Sequence, residues 1–267
     1  MDPSSTSNPQ EPSNDDTPTQ PSPREQAWAP PVSKLKVTGL PEGAINLNVD
    51  GKQITNPLQG FGQLWQKTYR VRLSGAQATP QQVIAEWRSH FPEFWPAGNR
   101  FYGPLTTIQP GDVAVLNLAG PGGIKGPGSS PLISTGVLVI YADDESFAFL
   151  TPQGHMFNGL IIFSATDNDE DEVVVAQVQA LVRASDPIYE MSFRLGFGHR
   201  AEDEFWLATL QNLAARFGVA TQARQEVALI DSRVQWTQAK NVWHNAAIRT
   251  GLYYVAAPIR WVRKKFG

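Results

Sequence analysis

Along twelve consecutive residues, Val173–Ala184 (VVVAQVQALVRA), every second side chain is apolar. Val174, Ala176, Val178, Ala180, Val182 and Ala184 fall on one side, and Gln177, Gln179 and Arg183 on the other. A period of two over that length calls for a long strand with one face on a core. Four further β-rich segments precede it: Asp112–Leu118, Thr135–Tyr141, Ser146–Thr151 and Asn158–Ala165. Turn chemistry separates them: Gly and Pro between 119 and 131, Ala142–Glu145, Pro152–His155 and Thr166–Glu172.

Before this series, Leu64–Leu73 (LWQKTYRVRL) reads as a strand, with Tyr69, Val71 and Leu73 alternating with Thr68, Arg70 and Arg72. Thr79-Pro80-Gln81-Gln82 places Thr at an N-cap, Pro at the first helical position and Gln at the third, a capping-box start. Val83, Ile84, Trp87, Phe91, Phe94 and Trp95 continue at helical spacing, and Pro92 splits them into two short helices. A further short strand is expected near Leu105–Gln109. After the series comes one long helix, with Glu202, Asp203 and Glu204 in its first turn, where the helix dipole favours acids. Phe205, Trp206, Thr209, Leu210, Leu213, Ala214 and Phe217 form its apolar stripe, and Gly218 stops it. The expected order is one strand, two short helices, about six strands and a long helix.

The flanks differ from this body. Residues 1–33 carry five acids against one base, and eight prolines fall within the first 31 residues. Such a segment cannot bury enough apolar area to offset its ordering entropy, so it is expected to be disordered, with 34–63 as an extended lead-in. Residues 233–267 hold seven bases (Arg233, Lys240, Arg249, Arg260, Arg263, Lys264, Lys265) and no acid. Residues 219–267 are expected to form a basic, aromatic, helical extension. The overall charge of −3 speaks against a nucleic-acid partner. Without cysteine there is no disulfide framework, thiolate nucleophile or Cys-ligated metal. No apolar run reaches 18 residues, and the N-terminus lacks a basic and an apolar signal region, so a cytoplasmic protein is expected.

The element order over about 64–218 resembles the helix-grip superfamily (START and birch-pollen-allergen-like, SRPBCC). The stretches FGQLWQKTYRV (61–71), FPEFWPAGNRFYG (91–103), TPQGHMFNG (151–159) and RASDPIYE (183–190) resemble one uncharacterised bacterial family within it. The resemblance implies an α+β fold in which a curved antiparallel sheet wraps a long C-terminal helix around a cavity. It implies hydrophobic small-molecule binding in most members, and cyclase, hydratase or hydrolase chemistry in a minority. On that expectation, the ligand-binding candidates are the aromatics Trp87, Phe91, Phe94, Trp95, Phe101, Tyr102, Phe149, Phe157, Phe163, Tyr189, Phe193, Phe205 and Trp206. His155 and Arg183 stand beside them as polar groups.

The other motifs point less far. Gly120–Gly128 (GPGGIKGPG) has no following GK[ST], and Pro127 and Pro131 stop a helix from opening there, so it reads as a hairpin loop or a lid rather than a phosphate cradle. None of His90, His155, His199 and His244 sits at a metal-ligand spacing, and no cofactor is implied. No G-x-S-x-G elbow occurs. Arg183, Asp186 and Glu190 cluster after the last strand, either at a ligand's polar end or as an Arg183–Asp186 pair fixing the corner. Asp167–Glu172 (DNDEDE) lacks the spaced calcium-loop pattern and reads as a solvated hairpin tip. On a helical projection of 233–267, Trp243, Ala247, Tyr254 and Trp261 share one arc and Arg249, Arg260 and Arg263 the opposite side, with Lys264 beyond and Lys240 and Lys265 breaking the pattern; Gly251 and Pro258 are expected to kink or interrupt the helix. Aromatics flanked by cations suit either an anionic membrane surface or packing back onto the acidic body. The expected function is a non-enzymatic binding module for a hydrophobic or aromatic small molecule or lipid. An enzyme using His155, Arg183 and Glu190, or a protein–protein interaction domain, are the alternatives.

Overall fold

A computed structural model describes residues 26–40, 42–103, 107–120, 123–126, 130–168 and 173–257. One eight-stranded antiparallel sheet organises them, in the order β2-β3-β4-β5-β6-β7-β1-β8. The strands are β1 (Leu64–Arg72), β2 (Arg100–Tyr102), β3 (Val113–Leu118), β4 (Ile133–Ala142), β5 (Ser146–Leu150), β6 (Phe157–Asn168), β7 (Val173–Ala184) and β8 (Arg224–Asp231). The helices are α1 (Pro80–Ser89), α2 (Pro187–Arg194), α3 (Phe197–Arg216) and α4 (Ala246–Val255), with 3-10 turns at Pro57–Gln59, Phe91–Phe94 and Trp236–His244. The fold is α+β, a curved antiparallel sheet gripping the long helix α3.

Local sequence explains the elements that place the interior. Thr79 caps α1 reciprocally: its hydroxyl accepts Gln82 N–H at 3.3 Å and Gln82 Oε1 accepts Thr79 N–H at 2.9 Å. β7 pairs β6 along its whole length and β1 on its other side. Its even-numbered residues are buried towards the helices. Under α1, Phe91 makes ring contacts with Trp95, Phe101, Phe147, Phe149 and Phe163, and Trp87 packs edge-on against Phe147 and Phe163. Truncating a fully buried aromatic of this kind costs about 3–5 kcal/mol.

The outer face of the sheet is covered as well. Leu35 and Val49 pack on Val115 and Leu138, outward-facing positions of β3 and β4. Asn48 donates to the Ser134 carbonyl at 2.7 Å, and Ser134 N–H donates to Thr250 Oγ1 at 3.0 Å, which docks α4 on β4.

Several expectations are corrected. Thr107–Gln109 form no strand; residues 104–106 lie outside the described set, and the extra strand is β2. The long helix starts at Phe197 rather than with the acids at 202–204, and a separate helix, α2, precedes it. Gly196, at φ +82°, makes the left-handed turn between them, a conformation that costs other residues strain. Residues 26–30 are not free: Trp28 bridges to Tyr141, and Ala29 N–H donates to the Ile140 carbonyl at 2.9 Å. The stretch after Gly218 is not wholly helical, since β8 adds to the open edge of β1. The basic segment divides at Asn245 and not at Gly251, which lies inside α4, while Pro258 lies outside the described residues. Trp243 belongs to the 3-10 segment, and Asn245 ends that segment and caps α4 by accepting Ile248 N–H at 3.0 Å. Arg260, Trp261, Arg263 and Lys264 lie outside the described residues, as do parts of the 120–128 loop and of the 167–172 run.

Candidate interior binding site

The concave face of the sheet and α3 enclose a cavity of about 100 Å³. It lies where the aromatic cluster under α1 ends. Trp95, Phe149, His155, Phe157, Phe205 and Trp206 line it, together with Leu116, Leu118, Ala119, Val137, Met156, Ile161, Ala201, Asn99 and Glu202. Three of these side chains are polar: Asn99, His155 and Glu202. A second pocket of about 260 Å³ lies outside it, bounded by Pro96, Ala97, Gly120, Gly123, Glu204 and Ala208. The two pockets share Asn99, Ala119, Ala201 and Phe205 as a common wall. The described part of the glycine-rich loop therefore borders the outer pocket.

Of the other sequence candidates, Trp87, Phe91, Phe94, Phe101 and Phe163 are buried in the packed core. Tyr102 lines a surface pocket with Lys36–Leu40 and Gly111–Val113. The Tyr189 hydroxyl accepts Ala247 N–H at 3.0 Å, and Phe193 packs against His199. Arg183 is buried on the outer face, where it donates to the Gly62 carbonyl at 2.6 Å and the Arg233 carbonyl at 2.8 Å, and pairs with Asp231 at 3.0 Å. The corner pair expected with Asp186 is not formed. Asp186 instead caps α2 through Ile188 N–H and Tyr189 N–H and accepts from Asn245 Nδ2 at 2.9 Å. Glu190 pairs with Arg194 at 2.8 Å. The trio His155, Arg183 and Glu190 is thus not brought together; only His155 faces the cavity.

His155 is not an exposed turn residue but is 3% exposed. Its Nδ1 is held by the Phe157 backbone, 3.2 Å from the N–H and 3.1 Å from the carbonyl, and its ring packs edge-on against Phe157. Burial pulls its pKa down to about 4, so the ring is neutral at pH 7. Gly154, at φ +92°, makes the preceding turn, and a Cβ there would sit 2.0 Å from the His244 carbonyl oxygen.

A buried charge cluster borders the cavity on the α3 side. Lys67 of β1, 1% exposed, places Nζ 2.9 Å from Glu202 Oε2 and 2.7 Å from Asp203 Oδ1. The Tyr69 hydroxyl donates to the same Asp203 oxygen at 2.7 Å. Burial pulls the Lys67 ammonium down, but Glu202 and Asp203 together outweigh it and leave the pKa above its ordinary value. Burial, reinforced by the carboxylates, raises the Tyr69 phenol. Glu202 is held above the usual carboxylate range, first by burial, against the opposing pull of Lys67. His199 is lowered to about 4 by burial and by Lys67. Glu202 and Lys67 are functional candidates that the sequence reading passed over. Among the described residues no group of His, Asp and Glu is arranged to hold a metal ion. No helix there is long and apolar enough to cross a membrane.

No family model and no curated protein matches the chain. Solved structures with partial likeness include the KanY protein (ms6282), at TM-score 0.41 and 10% identity over 57% of this chain and 96% of that one. Protein Ms6760 from Mycobacterium smegmatis has TM-score 0.37 and 13% identity over 59% and 92%. The di-domain ARO/CYC StfQ from the steffimycin biosynthetic pathway has TM-score 0.42 and 13% identity over 59% and 53%.

Proposed function

We propose that this chain binds a small, predominantly apolar molecule between the concave sheet face and α3. The observation that carries the reading is the cavity, walled by aliphatic and aromatic side chains with three polar groups among them. Few convergent polar groups in an apolar wall are the general signature of a ligand site. Its volume is below the roughly 300–1,000 Å³ of drug-sized pockets. It is nearer the ~150 Å³ apolar cavity that holds a single benzene. The inner site therefore suits a ligand on the scale of one ring, with the outer pocket as its approach. Ala201 stands in the common wall, on a half-buried stretch of α3, so Ala201→Trp fills the passage with little disturbance to the core. Benzene, phenol and indole should raise the Tm of the native chain and leave that of Ala201→Trp unchanged. A library of such compounds that leaves the native Tm unchanged refutes the reading.

A second reading concerns the C-terminal segment. Trp236 and Trp243 are 74% and 80% exposed, and Ile248, Leu252 and Val255 form an exposed stripe along α4. This apolar surface runs into a sequence with four more bases and no acid. We propose that it touches anionic membrane surfaces, to which each base near the lipid contributes about 1 kcal/mol. The protein should sediment with anionic but not neutral vesicles and be released by salt. Trp236→Ser/Trp243→Ser protein that sediments like the native chain overturns it.

A further inference from the structure

The alternation that turns Tyr69, Val71 and Leu73 inward also turns Lys67 inward, against the two adjacent acids Glu202 and Asp203 on α3. One ammonium therefore serves two carboxyl groups, and the two are treated unequally. Asp203 accepts hydrogen bonds from Lys67 and from Tyr69, each at 2.7 Å, and its other oxygen meets Gln225 Nε2 at 3.5 Å. The Glu202 side chain is 3% exposed and lines the cavity; its Oε2 lies 2.9 Å from Lys67 Nζ, whereas its Oε1 is buried without a hydrogen-bond partner. Buried polar atoms are nearly always hydrogen-bonded, so an unpartnered carboxyl oxygen at the wall of a cavity calls for a partner from inside it. Trp95 Nε1, a donor only, is likewise buried without a partner, and Trp95 lines the same cavity.

We infer that Glu202 is the polar anchor of the cavity, and that its ligand is a one-ring apolar molecule carrying a single neutral hydroxyl or carbonyl oxygen. The inference rests on the cavity-binding reading above and specifies its ligand class. Electrostatics select the neutral oxygen. A ligand ammonium would compete with Lys67, 2.9 Å away, for the same carboxyl, and a ligand carboxylate would be set against the Glu202 carboxyl in apolar surroundings, where an unpaired charge is costly. A hydroxyl can both donate to and accept from a carboxylic acid, and its oxygen can also take the Trp95 N–H. Lys67 is shared, and Asp203 holds its better hydrogen bonds, so Glu202 keeps one oxygen for a ligand hydroxyl.

The test compares benzene with phenol, two rings that differ by one oxygen, by calorimetric titration of the full-length protein and its variants. Native protein should bind phenol about tenfold more tightly than benzene, the worth of one hydrogen bond. Glu202→Leu should lose the preference and bind the two rings alike. Glu202→Gln, which keeps hydrogen-bonding capacity, should retain part of it. Infrared difference spectra supply a readout that does not depend on the Leu variant folding. The carboxyl-group stretch that is absent from Glu202→Gln should shift on adding phenol and stay fixed on adding benzene. Equal binding of the two rings by native protein, or a phenol preference that survives in Glu202→Leu, overturns the anchor and leaves cavity binding intact. Failure of both rings to bind removes the cavity reading itself.

Discussion

His155 supplies a stability test whose sign follows from its burial. In the unfolded chain its imidazole takes a proton below about pH 6.5; in the folded chain it resists until about pH 4. Between those values the unfolded state binds more protons, so stability rises with pH there. Above pH 6.5 the contribution is fully present, and it is lost as pH falls towards 4. The whole difference corresponds to about 3 kcal/mol, of which roughly 2 kcal/mol has gone by pH 5. His155→Gln keeps a polar side chain that does not titrate, and should lose some stability at every pH through altered packing. The measurement is therefore the gap between native and variant protein in urea unfolding, followed by tryptophan fluorescence at pH 7.5 and pH 5. That gap should shrink by about 2 kcal/mol at the lower pH. His199, also lowered to about 4, titrates in both proteins and cancels. A gap that is the same at both pH values would show that His155 is not held neutral by the fold, and the reasoning would fail.

Lys67→Met strands Glu202 and Asp203 beside each other without their cation, and should cost about 3–5 kcal/mol in denaturant unfolding. Adding Glu202→Gln should return part of that loss, and strict additivity of the two would count against a coupled cluster. Phe205→Ala removes a wall shared by the inner cavity and the outer pocket, so two-ring aromatics that do not bind the native chain should bind the variant in a titration. Gly154→Ala forces a side chain into a left-handed conformation against the His244 carbonyl, and the melting curve should show a loss of at least 1–2 kcal/mol, estimated as roughly the left-handed penalty alone.

The elements with a clear period were readable before any coordinates. β7 has the bounds that its alternation predicts, and Thr79 forms the capping box that its spacing predicts. Elements whose signal lies in pairing rather than period were missed. β8 has all but one of its residues exposed, so it shows no buried face; it exists because the free edge of β1 accepts it. α2 was hidden because eight residues from Pro187 carry little more than two turns, and its clearest mark, Asp186 at the N-cap before Pro187, reads equally well as a turn. The C-terminal projection puts its breaks at Gly251 and Pro258, whereas Asn245 divides the segment by using its side chain as a cap and the helix after it runs through Gly251.

The candidate site was readable as a set of residue types and not as a place. Aromatic content alone cannot separate rings that fill an interior from rings that border a space, because the difference lies in which elements face each other. Phe91, Phe147 and Phe163 converge beneath α1 and fill that end, whereas Phe149, Phe157, Phe205 and Trp206 share the wall of the cavity with small or slender side chains, Ala119, Val137 and Ala201. The charged groups, by contrast, were within reach of pattern alone. Glu202 stands four residues before Trp206 and eight before Leu210, on the apolar stripe of α3, and Lys67 stands two before Tyr69 on the inward face of β1. An acid and a base that each break an apolar stripe at a buried position must meet a partner or a ligand, since an isolated charge there would be far too costly. Arg183 keeps to the polar side of β7 with Gln177 and Gln179, and parity alone sends it to the outer face and away from any ligand in the interior. Reading which face a misplaced charge lies on therefore discriminates site from scaffold better than the identity of the charge does.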